Sequence, residues 1–468
     1  MSVTTKTELE SRLAEHGQSH LLRFWDELCE SSQQKLADQI AQIDFKLIED
    51  LRLKSAEPQL WTELAARANV PTAITLEDFA DPKTVDAAVA TGKSALKAGE
   101  LAMVLVAGGQ GSRLGFHHPK GMYPVGPVSN ASLYQIHFEK VLARARQFGA
   151  PIPMYVMTSP PTHDETTTFL QQHQFFGMDP DHVKIFCQGT MPAIDEAGQL
   201  LLASKDEVFL SPNGHGGTLA ALVDHGCLEH ARSLGVKHLF YGQVDNPLIQ
   251  ICDPALIGFH INSGSEMTSQ VVRKIHALQK VGNVVEVDGQ VQIIEYSDLP
   301  EQSAKQVDDQ GNLKLWAGSI AVHIFDLGFL ETSSSEAETL PFHRAFKKVP
   351  FIDSAGELIS PDGPNATKFE RFIFDLLPFA KNAIVCEVAA TDGFCALKNA
   401  PGAAAETEAH VRQAISDLHR RWIEQAGGHV AENINVEISP LCAVDSEMVS
   451  QQLGKVVVNE DKYFESPS

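Results

Sequence analysis

The sequence predicts an α/β fold with a doubly wound, mostly parallel sheet, a helical N-terminal region and a small C-terminal domain. Apolar residues near the N-terminus recur at helical spacing, whereas short apolar runs bounded by Gly, Pro or Asn begin at Leu101. Between the first two of these runs lie a glycine-rich turn and a helical segment. A strand, a turn, a helix and a second strand in this order describe a βαβ unit, which favours a parallel sheet.

The N-terminal region is predicted to be helical over residues 1–95. Leu36, Ile40, Ile43, Leu47 and Leu51 follow one another at steps of three and four, which is the spacing of one helix face. We therefore expect a helical layer that packs on a larger domain.

The central domain is predicted over residues 96–380. Its predicted strands are Leu101–Ala107, Met154–Ser159, Val183–Gln188 and His238–Val244. A helix is predicted at Leu133–Phe148, where Gly149 and Pro151 end it.

The C-terminal domain is predicted over residues 381–468 as a small α+β domain. It contains a predicted strand at Ala383–Val388 and a helix at Glu406–Gln425, followed by extended chain at GKVVVNEDKY (454–463). We observe no internal repeat in the sequence.

Composition and charge narrow the class of protein. The formal net charge of −23 disfavours nucleic acid as a partner, because a duplex binder needs a basic face to displace counterions. No stretch approaches the roughly 18 apolar residues of a membrane helix, and the N-terminus lacks the pattern of a signal peptide, so we expect a cytoplasmic protein without a membrane partner. The seven cysteines form no CxxC pair, which predicts reduced structural thiols rather than a disulfide framework or zinc site.

The glycine-rich turn after the first central strand is the strongest local signal. Gly108, Gly109 and Gly111 allow backbone N–H groups to approach an anion, and Arg113 and Lys120 add positive charge, which together suggest a triphosphate site. A P-loop would end in Gly-Lys-Ser/Thr, and a dinucleotide fingerprint would read GxGxxG instead of the GxGxxxG found here, so a dehydrogenase is disfavoured. A strand-to-helix turn without a ligand remains an alternative on the glycines alone.

The wider sequence around this turn resembles a known family. AGGQGSRLG (107–115) and PKGMYPVG (119–126) resemble the nucleotide-binding loop of the UDP-sugar pyrophosphorylases, especially the eukaryotic-type UDP-N-acetylglucosamine pyrophosphorylases. Similar blocks follow in family order: FCQGTMPAI (186–194), SPNGHGGTLAAL (211–222), QVDNPLIQICDPALIGF (243–259), VEVDGQVQIIEYSDL (285–299), WAGSIAVHIF (316–325), NATKFERFIFDLLPFA (365–380) and CALKNA (395–400). The resemblance implies a Rossmann-like nucleotidyltransferase sheet and the transfer of a uridylyl group from UTP to a sugar 1-phosphate, with release of pyrophosphate.

The resemblance also implies roles for individual residues. The implied UTP-binding residues are Val106, Ala107, Gly108, Gly109, Lys120, Gln188, Gly214, Asp245 and Lys368, with Asn213 in the second nucleotide loop. Arg113, Lys120 and Lys398 are the implied catalytic cations. His215, Glu295, Tyr296 and Lys398 are the implied sugar-phosphate residues, and Asp245 the implied ligand of Mg²⁺.

The identity of the sugar stays open, because the chain departs from the N-acetylglucosamine pattern at His215, Ser319 and Val322. Val322 cannot hydrogen-bond, and Ser319 has shorter reach than the asparagine of the family. N-acetylglucosamine 1-phosphate and glucose 1-phosphate are therefore both candidates, galactose 1-phosphate is a further rival, and a broad-specificity enzyme is an alternative. A different nucleotidyltransferase and a non-catalytic sensor of UTP or UDP-sugar are further alternatives, and the sequence leaves the oligomeric state open.

Overall fold

The computed structural model describes residues 5–53, 58–335 and 340–466. The chain forms two compact units, a smaller unit (Met1–Leu60, Gln188–Thr218 and Thr339–Asp375) and a larger unit (Trp61–Cys187, Leu219–Glu338 and Leu376–Ser468). These bounds differ from the three domains expected at 1–95, 96–380 and 381–468, because segments that are distant in sequence share the apolar core of each unit.

The helices and strands of the described residues are numbered separately in chain order. The α-helices are α1 (Lys6–Glu15), α2 (Glu30–Gln42), α3 (Phe45–Leu53), α4 (Pro58–Arg67), α5 (Leu76–Ala80), α6 (Pro82–Lys97), α7 (Leu133–Phe148), α8 (Pro160–Gln172), α9 (Thr218–Asp224), α10 (Cys227–Ser233), α11 (Pro254–Asn262), α12 (Glu301–Ala304), α13 (Leu327–Thr332), α14 (Ala390–Gly393), α15 (Glu408–Gln425) and α16 (Ser446–Gln452). The strands are β1 (Ala73–Ile74), β2 (Leu101–Val106), β3 (Met154–Thr158), β4 (Val183–Cys187), β5 (Thr190–Pro192), β6 (Ile194–Asp195), β7 (Leu202–Ser204), β8 (Glu207–Val208), β9 (Leu210–Pro212), β10 (His238–Gln243), β11 (Met267–Arg273), β12 (Asn283–Val287), β13 (Gln290–Ile294), β14 (Ala317–Asp326), β15 (His343–Lys347), β16 (Phe351–Ile352), β17 (Leu358–Ile359), β18 (Ala366–Glu370), β19 (Ala383–Glu387), β20 (His429–Val430), β21 (Val436–Ile438), β22 (Val457–Val458) and β23 (Lys462–Phe464).

The larger unit is built on the predicted α/β sheet. Its strand order is β1-β19-β11-β14-β10-β2-β3-β4, and the hairpin β12–β13 joins it through β14. All neighbours along this order pair in parallel except β14, which is antiparallel to both β10 and β11. The prediction of a mostly parallel sheet is confirmed, and β2, β3, β4 and β10 end within a residue of their predicted ends.

The register between β2 and β10 aligns the carboxyl ends of these two neighbours. Val106, the last residue of β2, lies opposite Gln243, the last residue of β10, and opposite Met157 of β3. The loops that follow β2 and β10 therefore leave the sheet side by side, at the edge where open α/β sheets place their ligands.

The C-terminal residues share the core of the central sheet. Val411, Ile415 and Trp422 of α15 belong to the same buried apolar cluster as Leu101 and Met103 of β2. This shared core explains why residues 381–468 lie in the larger unit, although the helix and strands predicted there are present.

The smaller unit has a core of its own between α1, α2, α3 and short strands. Leu13, Leu36, Ile40 and Phe45 cluster there with Phe369 of β18. The apolar stripe from Leu36 to Leu51 belongs to two helices, because the chain is extended at Ile43 and the Asp44 side chain accepts a hydrogen bond from the Leu47 N–H at 2.9 Å.

The rest of the predicted helical region belongs to the larger unit. It includes α5 and α6, and a short strand, β1, that the sequence did not predict and that pairs with β19. Within the three described ranges, we find no helix both long enough and apolar enough to span a bilayer. The seven cysteines, all within the described ranges, are free thiols in the structure.

Helices α6 and α11 pack backbone against backbone. A Cβ atom on Gly258 would overlap the carbonyl oxygen of Ala88, and one on Gly92 would overlap the carbonyl oxygen of Pro254. Neither helix can therefore carry a side chain at its contact point without moving away from the other.

We expect Gly258→Ala to destabilise the protein by about 2 kcal/mol or more, because the added methyl group has no space between α6 and α11. Urea denaturation measures this change. The control is Gly363→Ala, where a Cβ atom meets open space and should change the free energy of unfolding by less than about 0.5 kcal/mol. Equal stabilities of the two variants would contradict the tight helix contact.

Candidate active site

The glycine-rich loop after β2 is folded back on itself by backbone hydrogen bonds. The Lys120 N–H donates to the Gly109 carbonyl at 3.0 Å, and the Gly111 N–H donates to the His118 carbonyl at 2.9 Å. The Ser159 hydroxyl donates to the Gly108 carbonyl at 2.6 Å and so ties the loop to the end of β3. The loop is thus fixed at the carboxyl edge of the sheet, as predicted.

Two glycines of this loop differ in what the protein demands of them. A Cβ atom on Gly111 would lie 2.7 Å from the Phe116 carbonyl oxygen, so the fold itself requires glycine there. Gly109 is exposed, its φ is not left-handed, and a Cβ atom would meet nothing within 4 Å. The described residues therefore place no steric demand for glycine at position 109, and its backbone is open to the close approach of a ligand.

The predicted cations of the loop have different environments. Lys120 Nζ lies 3.4 Å from Asp245 Oδ2, and these side chains are only 19% and 14% exposed. Arg113 is exposed and makes no hydrogen bond or ion pair with any residue that the structure describes. The structure thus brings Lys120 and Asp245 together and leaves the Arg113 guanidinium available to an anion.

Two side chains of helix α7 donate hydrogen bonds to the backbone of the loop that carries Asp245. His137 Nε2 donates to the Val244 carbonyl at 2.9 Å, and Lys140 Nζ donates to the carbonyls of Pro247 and Ile249 at 2.5 and 2.9 Å. Burial lowers the pKa of His137 to about 3 and that of Lys140 to about 7. These side chains hold the backbone on both sides of Asp245.

Sequence reasoning missed both anchors. His137 and Lys140 lie three residues apart on α7, so they occupy one face of that helix. Polar residues on a face that is otherwise apolar were the available signal, although that signal does not say which loop they bind.

Asp245 is a single carboxylate rather than part of a metal cage. No group of three or more His, Cys, Asp or Glu side chains is arranged to hold an ion within residues 5–53, 58–335 and 340–466. Mg²⁺ commonly takes one or two carboxylates and completes its shell with waters and substrate phosphates. The residues present therefore fit Mg²⁺ brought with a nucleotide, and they do not fit a cation held by protein ligands alone.

Lys398 lies beside the Asp245 loop. The Leu397 N–H donates to the Asp245 carbonyl at 2.8 Å, and the next residue is Lys398. The Lys398 N–H donates to the Glu406 carbonyl at 2.9 Å, while its Nζ lies 3.5 Å from Glu406 Oε1. The structure thus places the segment of Lys398 next to that of Asp245.

Glu295 and Tyr296 follow β13, as the sequence places them. Glu295 Oε1 would lie 3.2 Å from a Cβ atom on Gly282, and the Ser319 N–H donates to the Gly282 carbonyl at 2.8 Å. Glu295 and Ser319 are therefore neighbours across Gly282. Tyr296 is 48% exposed, so its ring is accessible to a ligand.

Val322 does not face this group, which corrects the expectation that its side chain replaces a sugar-binding asparagine. Its side chain is fully buried in the core of the larger unit. The pairing of β14 with β11 shifts between Ser319 and Val322, and Ala321 adopts a left-handed φ of 55°. This bulge turns the two positions differently, so that Ser319 alone stays partly exposed beside Gly282.

The second predicted nucleotide loop, residues 213–216, belongs to the smaller unit. The Arg371 N–H donates to the Asn213 carbonyl, and the Gly216 N–H donates to the Arg371 carbonyl, both at 2.7 Å. Gly214 has a φ of 81°, and a Cβ atom on Gly214 or Gly216 would overlap the Arg371 backbone. Close packing of the chain itself therefore accounts for both glycines.

Gln188 begins the smaller unit's second segment and is 7% exposed. The Asn213 N–H donates to the Gly189 carbonyl at 3.2 Å, so Gln188 lies at the start of the strand pair that leads to the second loop. Lys368 of β18 places its Nζ 5.0 Å from the ring centroid of Phe209, which is a cation–π contact.

His215 is held in one protonation state and one tautomer. Its ring packs on Phe372 and Phe374, with centroids 5.1 and 5.6 Å away. Burial, together with the neighbouring His343, lowers the pKa of His215 to about 4. Nδ1 accepts a hydrogen bond from the Ile373 N–H at 3.2 Å, so the neutral ring carries its proton on Nε2 and can donate from there.

Comparison with known proteins supports one family. Residues 66–467 match the family model described as UTP–glucose-1-phosphate uridylyltransferase. The chain is 36% identical over 440 residues to the human UDP-N-acetylhexosamine pyrophosphorylase-like protein 1, which covers 91% of this chain and 87% of that protein. It is 34% identical over 469 residues to the UDP-N-acetylglucosamine pyrophosphorylase of Saccharomyces cerevisiae, covering 96% and 98% of the two chains.

A solved structure agrees with this result. The crystal structure of the UDP-N-acetylglucosamine pyrophosphorylase of Trypanosoma brucei, in complex with an inhibitor, matches 98% of this chain and 99% of its own with a TM-score of 0.83 and 26% identity. The region that matches the family model, residues 66–467, includes the glycine-rich loop, the Asp245 loop and the Lys398 segment. The family predicted from the sequence blocks is thereby confirmed, and the chain belongs to the UTP–glucose-1-phosphate uridylyltransferase family.

Proposed function

We propose that this protein transfers the uridylyl group of UTP to a sugar 1-phosphate and releases pyrophosphate, acting in the cytoplasm. The observation that carries the proposal is the arrangement of Lys120 and Asp245, 3.4 Å apart beside a glycine loop whose Gly109 faces open space. The relatives named as UDP-N-acetylglucosamine pyrophosphorylases support it.

The reaction needs no nucleophile from the protein. An oxygen of the sugar 1-phosphate attacks the α-phosphorus of UTP, the bond from this phosphorus to the bridging oxygen breaks, and pyrophosphate leaves with the electron pair. The protein aligns the two anions and neutralises charge that builds up on the phosphates. In this proposal Arg113 and Lys120 hold the departing pyrophosphate, and Lys398 holds the attacking phosphate.

The remaining residues bind the nucleotide. Gln188 would contact uracil, because its amide can both donate and accept hydrogen bonds, and Lys368 would contact the nucleotide phosphates. The resemblance assigns Val106, Ala107 and Gly108 of the larger unit to UTP binding, and it assigns Gly214 of the smaller unit to UTP binding as well. These assignments rest on the sequence resemblance.

Asp245 would hold Mg²⁺ together with the phosphates of UTP. The bound cation would offset negative charge on the α-phosphate and the leaving group. Lys120, at hydrogen-bond distance from the same carboxylate, keeps Asp245 oriented towards the glycine loop.

We propose N-acetylglucosamine 1-phosphate as the preferred sugar, with glucose 1-phosphate as the alternative. The names of the relatives favour the first. Glu295 would accept hydrogen bonds from sugar hydroxyls, Tyr296 would contact the ring, and His215 would donate from Nε2. His215, and Ser319 beside Glu295, are the departures from the family pattern that keep glucose as a candidate.

The proposed function is tested by measuring pyrophosphate release with each combination of nucleoside triphosphate and sugar 1-phosphate. We expect release with UTP and Mg²⁺, highest with N-acetylglucosamine 1-phosphate, and its loss when EDTA removes the cation. A preference for another triphosphate would contradict the proposal. Binding of UTP without any pyrophosphate release across the sugars would favour a sensor instead.

The Gly109→Ala substitution should raise the KM for UTP without destabilising the protein. We expect its free energy of unfolding to equal that of the unchanged protein or to exceed it by about 0.4–1 kcal/mol, because the φ of Gly109 suits alanine and the Cβ atom meets no neighbour. The KM for UTP should rise at least tenfold, since the methyl group enters the space assigned to the phosphates. Gly363→Ala, also in open space, is the control that should leave KM unchanged, and a normal KM in Gly109→Ala would remove the loop from the phosphate site.

The low pKa of His215 predicts how stability depends on pH. The unfolded chain takes up a proton at this histidine near pH 6.5, whereas the folded chain stays neutral there down to about pH 4. The free energy of unfolding should therefore fall as the pH is lowered from 6.5 to 4. In the His215→Asn variant, this free energy should fall less steeply. Urea denaturation at several pH values measures both slopes, with His276→Asn at an exposed position as the control. Equal slopes in the His215→Asn variant and the unchanged protein would show that His215 is not buried as a neutral ring.

A further inference from the structure

Asn246, the residue after Asp245, is almost fully buried at 2% exposure and binds a second segment of the chain. Its Nδ2 donates to the Gly393 carbonyl at 2.9 Å, and its Oδ1 accepts from the Cys395 N–H at 3.1 Å. Its Oδ1 also accepts from the Leu248 N–H at 3.3 Å, which holds the side chain within its own loop. One side chain thus bridges the loop after β10 and the segment 393–397.

Two further hydrogen bonds, one donated from each side, join the chain around residues 392–397 to the loop after β10. The Leu397 N–H donates to the Asp245 carbonyl at 2.8 Å, and Gln250 Nε2 donates to the Asp392 carbonyl at 3.3 Å. The N–H groups of residues 395 and 397 therefore both point at the loop of Asp245, as alternate residues of an extended segment do. Lys398 comes directly after the last of these contacts.

We infer that Asn246 is a positioning residue that fixes the distance between Lys398 and Asp245, and thus between the sugar phosphate and the cation of the proposed reaction. This inference rests on the proposed function, in which Lys398 binds the attacking phosphate and Asp245 binds Mg²⁺. Asn246 itself touches neither substrate. It acts through the segment that ends in Lys398.

The chemistry of the contact favours asparagine over its isosteres. Gly393 offers only a carbonyl acceptor and Cys395 only an N–H donor, so the bridging side chain must donate and accept at adjacent atoms. An aspartate would set an oxygen against the Gly393 carbonyl, and a leucine would leave both backbone groups without a partner. An amide of this length satisfies both groups at once.

The segment has a partner on its other side as well. Glu406, with a φ of 57°, accepts hydrogen bonds from the N–H groups of both Lys398 and Asn399, and its carboxylate lies 3.5 Å from Lys398 Nζ. Asn246 therefore holds the backbone at residues 393 and 395, and Glu406 holds the backbone at residues 398 and 399. Replacing Asn246 should release the backbone at residues 393–395, while the ion pair between Lys398 and Glu406 can still form.

A double-mutant cycle between Asn246→Ala and Lys398→Ala tests the inference, with kcat/KM for the sugar 1-phosphate as the readout. We expect Asn246→Ala alone to lower this value about tenfold or more, and to lower it less than twofold in the Lys398→Ala background, because a residue that acts through Lys398 has no effect once Lys398 is gone. The KM for UTP should stay within about twofold in Asn246→Ala. Additive losses would overturn the inference, since they would show that Asn246 acts independently of Lys398.

Amide hydrogen exchange supplies a readout that does not depend on activity. In Asn246→Ala, the N–H groups of Cys395 and Leu397 should exchange at least tenfold faster than in the unchanged protein. The control is Ser416→Ala, which also removes a buried acceptor of a backbone N–H, here that of Val436, and should leave exchange at 393–397 and kcat unchanged. Unchanged exchange at 393–397 in Asn246→Ala would overturn the inference.

The outcomes separate this inference from the proposed function. If the unchanged protein releases no pyrophosphate from UTP and any sugar 1-phosphate, the proposed function fails, and the inference fails with it whatever the exchange shows. If the unchanged protein is active, the cycle and the exchange decide the role of Asn246. Should Asn246→Ala not fold, Asn246→Ser keeps a short acceptor in place and enters the same cycle with the same expected signs.

Discussion

The parallel pairing of β2 with β10 is the constraint on which the rest of the larger unit's site depends. Because Val106 and Gln243 lie opposite each other at the carboxyl ends of these strands, the glycine-rich loop and the Asp245 loop leave the sheet next to each other. The contact of Lys120 with Asp245 follows from that register, and so does the place of Lys398, whose segment is attached to the second loop. A slip of one residue in this pair would turn the side chains at the strand ends to the opposite face of the sheet.

Hydrogen bonds from two polar side chains of α7 hold the backbone of the loop after β10. A short loop at a sheet edge exposes carbonyl groups that no strand can satisfy, and here an imidazole and an ammonium group of α7 satisfy three of them. Burying Lys140 without a carboxylate partner has a cost, which appears as a pKa lowered to about 7. The arrangement fixes the backbone around Asp245 while leaving its carboxylate for other partners, since neither anchor contacts that side chain.

Much of this organisation could be predicted from the sequence, and the failures have physical causes. The strands at Leu101 and His238 and the helix at Leu133 are marked by local apolar patterns and by glycine or proline at their ends, so their bounds were predicted closely. The family blocks assigned Lys120 and Asp245 to UTP binding, but their contact was not predicted. The bulge that buries Val322 was not predictable, because it depends on pairing with β11. The domain bounds also differed from expectation, because distant segments share the cores on which those bounds depend.

The protein places different demands on three of its glycines. Gly92 and Gly258 are required because another helix occupies the place of their side chains, whereas no residue that the structure describes occupies the place of a side chain at Gly109. A descendant of this protein that had lost its activity would therefore still be confined to glycine at the first two positions, and would be free to drift at the third. The residues found at these three positions could then distinguish related proteins that only fold from related proteins that are also active.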